Sequence, residues 1–118
     1  MDINNLIIHH KKTLIEALDQ LNELLYKDTI SRLILFVVDD TQAVVGSITD
    51  GDVRRALVKH QDLNRSVAEI SNPHFLFEYD TSGFLDFSDY RKKNIKIIPM
   101  LDQHKRLVRI IDLDRTKA

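Results

Sequence analysis

The sequence has no cysteine and no tryptophan, and only three glycines and two prolines. Without cysteine, disulfides, thiolate metal centres and cysteine nucleophiles are excluded. So little glycine and proline excludes a linker-rich or disordered chain. No charge of one sign dominates, with 17 basic against 18 acidic side chains and a net charge of −1. The balance holds locally: residues 1–59 carry 7 basic and 9 acidic groups, and residues 60–118 carry 10 and 9. Neither half supplies the basic face that nucleic acid requires. No apolar run approaches the ~20 residues of a membrane span. The start, Met1-Asp2-Ile3-Asn4-Asn5, lacks the basic and apolar regions of a signal peptide. These absences point to a cytoplasmic globular module that meets neither nucleic acid nor membrane. What is present suffices for one: 118 residues, 43% of them apolar, can bury roughly two-thirds of the surface exposed in the unfolded chain.

Leu14, Ala17, Leu18, Leu21 and Leu25 recur on one helical face. Thr13 and Glu16 have the spacing of a capping box, so a helix is expected over about 13–27. Leu33–Val38 is a short apolar run rich in β-branched residues. It is followed by the polar Asp39-Asp40-Thr41-Gln42 and a second strand, Ala43–Thr49. Two strands about a short polar turn form a hairpin. Asp50-Gly51-Asp52 then opens a helix running from Val53 to about His60, with acids where the helix dipole favours them. The order repeats. Phe75–Phe77 is a strand candidate, and Thr81-Ser82 can cap a helix carrying Phe84, Phe87 and Tyr90. Ile95–Leu101 and Leu107–Ile111 flank the turn Asp102-Gln103-His104-Lys105. Pro99 marks its strand as an edge or strand end. Leu35–Asp39 aligns with Ile98–Asp102, and Val44–Asp50 with Leu107–Leu113. The chain is therefore an internal duplication with a period of about sixty residues. One half alone is marginal, whereas two can cover each other's apolar sheet faces.

The junction Gly46-Ser47-Ile48-Thr49-Asp50-Gly51-Asp52-Val53-Arg54-Arg55-Ala56 carries the chemistry. A strand ends and a helix begins, and a helix N-terminus suits phosphate. A carboxylate such as Asp52 can accept hydrogen bonds from ribose hydroxyls, and the Thr49 hydroxyl can donate. Gly46 would let a ligand approach the backbone, and Arg54 or Arg55 could pair with phosphate. The same spacing equally allows Thr49 or Asp50 to be a helix cap and Asp52 a first-turn acid.

This duplicated pattern resembles a CBS domain pair, or Bateman module, over nearly the whole chain. Residues 46–56 resemble that family's Gly-x-x-Thr-x-x-Asp-x-x-Arg-Ala segment, and Ile98–Asp102 resembles its proline-containing core strand. The resemblance implies an α+β tandem duplication of two β-α-β-β halves with pseudo-two-fold symmetry. The first repeat is expected over 1–62 and the second over 63–118, with the final helix of the second half missing. It implies a regulatory nucleotide-sensing role, an adenine nucleotide as ligand, no required cofactor and no catalytic residue. The implied ligand set is Gly46, Ser47, Ile48, Thr49, Asp52, Arg54 and Arg55. The Asp-Gly-Asp-x-Arg-Arg wording and the closing Ile110-Ile111-Asp112-Leu113-Asp114 resemble, more narrowly, CBS pairs that precede a sugar-phosphate nucleotidyltransferase of the mannose-1-phosphate guanylyltransferase type. A C-terminal catalytic domain in the same polypeptide follows from that likeness. The resemblance to CBS pairs in general implies a homodimer formed by partly exposed apolar helix faces, with Ala56, Leu57, Phe84 and Phe87 as the expected contact residues. The alternative is a dimerisation module that binds no nucleotide.

The second half departs from the motif. Arg109 stands at the place of Gly46, Asp112 at that of Thr49, and Arg115 at that of Asp52, so any ligand site is expected in the first half only. Phe36 stands where the family often has proline. No metal site is expected. His9 and His10 are adjacent, would point to opposite faces of a strand, and read as a solvated pair. Asp39-Asp40 reads as a turn, with weak Mg²⁺ contact as the alternative. Arg91-Lys92-Lys93 reads as a solvated helix end, and Phe84, Phe87 and Tyr90 as core. No Gly-x-Ser-x-Gly, Gly-x-Gly-x-x-Gly or Gly-x-x-x-x-Gly-Lys occurs.

Overall fold

A computed structural model describes residues 2–27, 30–81 and 86–115. A short 3-10 turn at Ile3–Leu6 leads into β1 (Ile7–His9), then α1 (Leu14–Lys27), β2 (Ile34–Val38), β3 (Val44–Thr49), α2 (Asp50–His60) and α3 (Val67–Ile70). The second half, which opens with α3 at the place the Ile3–Leu6 turn holds in the first, continues as β4 (Glu78–Tyr79), α4 (Ser88–Lys92), β5 (Ile97–Leu101) and β6 (Leu107–Asp112). Two three-stranded sheets result, ordered β1-β2-β3 and β4-β5-β6. In each, the first strand runs parallel to the second and the hairpin is antiparallel. This is the α+β tandem architecture expected.

The duplication is kept residue by residue. Ile34 pairs with Thr49 in the first hairpin, and Ile97 with Asp112, each 63 residues on, in the second. Both hairpins carry a register shift just before the turn, at Val37/Val38 and Met100/Leu101. The turns repeat as well. Asp39 Oδ1 accepts the N–H groups of Thr41 and Ala43, and Asp102 Oδ1 those of His104 and Arg106. Gln42 (φ 70°) and Lys105 (φ 64°) take the left-handed conformation that closes each loop. One aspartate per turn thus sets the register of both hairpins.

α1 is capped as its sequence requires: Thr13 N–H donates to Glu16 Oε1, and Glu16 N–H donates to Thr13 Oγ1. Its buried stripe is Leu14, Ala17, Leu21 and Leu24, with Leu18 half-buried. Leu25 is 59% exposed, so the stripe runs through Leu24 instead, one step round the helix. The main core joins α1, the first sheet, α2 and α3, and it takes in Leu101 and Leu107 of the second sheet. A smaller cluster of Ile98, Met100 and Leu113 is covered by Phe87, Tyr90, Ile95 and Ile111.

Several expectations are corrected. Residues 75–77 form no strand; the second half's leading strand is Glu78–Tyr79. Phe75 and Phe77 pack instead on the main core, in a row with Tyr79 (ring centroids 5.3 and 5.4 Å apart). Pro99 lies in the central strand of its sheet, not at an edge. It is tolerated because β4 pairs only with Met100 and Leu101, so the parallel ladder starts just past it. Ala56 is buried in the core and offers no contact face, whereas Leu57 is half-buried against it. Phe87 is half-buried over the smaller cluster. The proposed cap at Ser82 and the contact residue Phe84 lie outside the described residues.

Candidate functional site

β3 delivers Gly46, Ser47 and Ile48 to the start of α2, and all three are buried. Their cover comes from the other repeat. Ser47 N–H donates to the Asn72 carbonyl (3.1 Å), and Asn72 N–H donates back to that of Ser47 (2.8 Å). A Cβ on Gly46 would meet Ser71 Oγ at 2.7 Å and Asn72 O at 3.2 Å. The close approach of the Ser71–Asn72 segment is thus itself a reason for glycine at 46, where the sequence suggests room for a ligand. The φ of Gly46 is negative, so space and not conformation selects glycine. By the same symmetry, the leading 3-10 turn of the first repeat packs against β6 of the second.

Thr49 and Asp52 do come together at the first turn of α2. They form a capping box: Thr49 Oγ1 accepts from Asp52 N–H (3.1 Å), and Asp52 Oδ2 accepts from Thr49 N–H (2.9 Å). The spacing that suggested a ribose site therefore also satisfies orphan helix N–H groups. Asp52 Oδ1 is the remaining acceptor and takes a 2.6 Å bond from Arg55. Arg54 pairs with Asp50 at 2.9 Å. The two cations thus stand over the acids of their own helix, while Asp52 remains 24% exposed and Arg55 74%. A shallow groove of about 260 Å³ runs beside them, lined by Asp52, Arg55, Lys59, His60 and Glu69. Arg55, Lys59 and His60 there stand beside two carboxylates, Asp52 and Glu69.

In the second repeat the equivalent positions do something else. Asp112, buried, accepts Ser31 N–H at 2.7 Å and the Ser31 hydroxyl at 2.6 Å. Arg115 Nε lies 3.8 Å from Asp112, and Asp114 pairs with Arg32 and Lys96. The motif position has become a tie between the repeats.

No family model matches the sequence, and no curated protein does. Solved structures do. The CBS domain protein PAE2072 from Pyrobaculum aerophilum, complexed with AMP, superposes with a TM-score of 0.69 at 16% identity, over 92% of this chain and 80% of that one. The CBS domain pair of protein MJ0100, in complex with 5′-methylthioadenosine and S-adenosyl-L-methionine, gives 0.67 at 22% identity over 92% and 82%. The CBS domains of a transcriptional regulator from Streptococcus pneumoniae give 0.70 at 11% identity over 94% and 86%. The fold is that of a CBS domain pair. In this CBS-type fold the swapped leading segments and the paired hairpins follow from the duplication, while the Thr49–Asp52 junction is particular to the first repeat.

Sequence reasoning missed one group. His9 and His10 do not point apart: β1 ends at His9, alternation stops there, and the two rings lie 4.5 Å apart. Both Nε2 atoms reach Asp40 Oδ1, at 2.8 and 3.2 Å. No local signal marks that strand end, since a strand of three residues is too short to show a period. The two imidazoles hold the Asp40 carboxyl below the usual carboxylate range. Among the described residues no helix is long and apolar enough to cross a membrane.

Proposed function

We propose that this chain is a regulatory, nucleotide-sensing CBS pair whose single ligand site lies at the N-terminus of α2. The observation that carries the reading is Asp52: a half-buried carboxylate at a first helical turn, held in place by Thr49, with an oxygen covered only by the exposed side chain of Arg55. When Arg55 swings away, Oδ1 can accept from a ribose hydroxyl, and Arg55 and Arg54 can turn to phosphate. Likeness to CBS pairs solved with AMP and with S-adenosyl-L-methionine supports an adenine nucleoside as the ligand class. Gly46, Ser47 and Ile48 support the site from behind and do not touch the ligand. The chain itself does no chemistry and needs no cofactor. It serves, in the cytoplasm and as a homodimer, a following sugar-phosphate nucleotidyltransferase domain, a reading that rests on the Asp50-Gly51-Asp52-x-Arg54-Arg55 wording.

Calorimetric titration with AMP, ATP and S-adenosylmethionine tests this. Asp52→Asn keeps an acceptor for the cap but removes the charge. Losing a charge-assisted bond of roughly 1.5–3 kcal/mol should weaken binding about 10- to 150-fold. Arg115→Ala in the second repeat should leave affinity unchanged. Equal affinity of wild type and Asp52→Asn would reject the site.

A second reading, a dimerisation module without nucleotide, is favoured by one observation: the Thr49–Asp52 box is closed and complete without a ligand. Absence of binding to every nucleotide tested, with a concentration-dependent dimer in sedimentation, would establish it.

A further inference from the structure

We propose that His9, His10 and Asp40 form a binding site for one divalent transition-metal ion of the Zn²⁺ class. Each residue offers one ligand atom, and the three atoms lie within 4.8 Å of one another. The two Nε2–Oδ1 distances are 2.8 and 3.2 Å. Tetrahedral Zn²⁺ with bonds of about 2.0–2.2 Å holds its ligand atoms roughly 3.3 Å apart. The two imidazole–carboxylate pairs therefore need to part by at most about half an ångström, and the two imidazole nitrogens, within 4.8 Å of each other, need to settle at the same spacing.

The fold presents these groups for a reason. Asp39 is consumed by its turn, where it binds Thr41 and Ala43. The Asp40 side chain takes no part in those turn bonds, is 68% exposed, and reaches the two imidazoles at the end of β1. Parallel pairing of His9 with Val38 brings that end beside the hairpin, and His10 N–H donating to Val38 O fixes the next residue. The backbone thus gathers the three side chains before any ion arrives, although they are 30 and 31 residues apart in sequence.

Ligand chemistry selects the ion. Two imidazoles and one carboxylate suit Zn²⁺, Co²⁺ or Ni²⁺, whereas Mg²⁺ and Ca²⁺ require oxygen donors. Three protein ligands leave at least one coordination position for water. One rearrangement is needed. His9 Nδ1 now accepts a 3.3 Å contact from Lys11 N–H, which leaves the imidazole proton on Nε2. Capture of a metal at Nε2 moves that proton to Nδ1 and breaks the long contact. Lys11 beside the cluster opposes a cation and holds the affinity down. The site belongs to the first repeat alone: by strand pairing and register, Tyr79, Asp80 and Gln103 stand at the equivalent places. It lies at the turn end of the hairpin, whereas Thr49 and Asp52 lie at the other end, so it is independent of the nucleotide reading.

The test is calorimetric titration of the chain with Zn²⁺, with Co²⁺ absorption as a report of geometry. One ion per chain is expected, with a tetrahedral Co²⁺ spectrum. His10→Ala and Asp40→Asn should each weaken Zn²⁺ by more than the roughly 10- to 100-fold that loss of an outer partner costs. Asp40 is exposed, so Asp40→Asn keeps the test decisive if the histidine variants misfold. A variant lacking His60, His74 and His104 should bind as wild type does. No saturable Zn²⁺ binding, binding unchanged in Asp40→Asn, or binding lost with those three histidines would each overturn the proposal.

Discussion

At the end of β3 stands Thr49; at the same register of β6 stands Asp112. Thr49 turns to its own helix and caps it, whereas Asp112 reaches 81 residues back to bind the backbone and hydroxyl of Ser31. The same contrast appears three residues earlier. Gly46 is small because Ser71 and Asn72 lie on it, while Arg109 is long and pairs with Asp80 at 2.9 Å. The second repeat has not merely lost a motif. Its motif position now ties the repeats together, and among the described residues the capping box at this junction is seen in the first repeat. A duplicated fold can thus divide labour: one copy caps its own helix at this position and the other provides the joint.

The cores differ in the same sense. The main cluster is built on the first sheet but includes Leu101 and Leu107 of the second, and the second repeat's own cluster is small. The repeats should therefore unfold together. Phe36, 1% exposed at the centre of the main core, should cost about 3–5 kcal/mol when cut to Ala. Leu101→Ala, in the other repeat, should cost about 2–5 kcal/mol. Urea denaturation followed by circular dichroism and tyrosine fluorescence should give one shared transition for each variant. Two separated transitions would break the comparison, because they would show the repeats to be independent.

The joint comes next in size. Asp112→Ala strands the Ser31 N–H and should cost about 1–3 kcal/mol. Thr49→Ala removes one side of a cap and should cost about 0.5–2 kcal/mol. The sharper contrast is in where the damage falls. Loss of Asp112 should raise amide exchange in both repeats around Ser31 and β6, whereas loss of Thr49 should raise it only in the first turn of α2. Equal and local effects would mean that Asp112 is no joint.

How much of this was legible beforehand depended on range. The hairpins, the capped α1 and the α2 junction could be read because turn aspartates, capping residues and periodicity are local signals. Register followed from them, so Arg109, Asp112 and Arg115 were correctly matched to Gly46, Thr49 and Asp52. Strands of two or three residues carry no period, so β1 and β4 are not legible, and the aromatic run at 75–77 reads as a strand although it packs on the core. The partners of Gly46 and Asp112 lie 25 or more residues away. No local pattern distinguishes a glycine covered by a neighbouring chain segment from one awaiting a ligand. Similarly, His9 and His10 meet only because β1 ends between them.

The smallest expected effect concerns the feature that the repeats share most closely, the left-handed residue of each turn. Gln42 and Lys105 both hold φ near 65–70°, a conformation that costs an L-residue with a Cβ roughly 1–2 kcal/mol. Glycine relieves that cost but loses about 0.5–1 kcal/mol of entropy on folding. Gln42→Gly should therefore stabilise the protein by up to about 1 kcal/mol. Lys105 has a second role: its ammonium lies 5.7 Å from the Phe77 ring centroid. An exposed contact of that kind contributes about 0.5–1 kcal/mol. Lys105→Gly should accordingly be close to neutral, because the relief of the turn is offset by the lost ring contact. Lys105→Gly in a Phe77→Leu background should recover the gain seen at Gln42. Thermal unfolding of the variants measures all three. An equal gain at both turns in the otherwise wild-type chain would show that the ring contact contributes nothing and that the two turns are energetically the same.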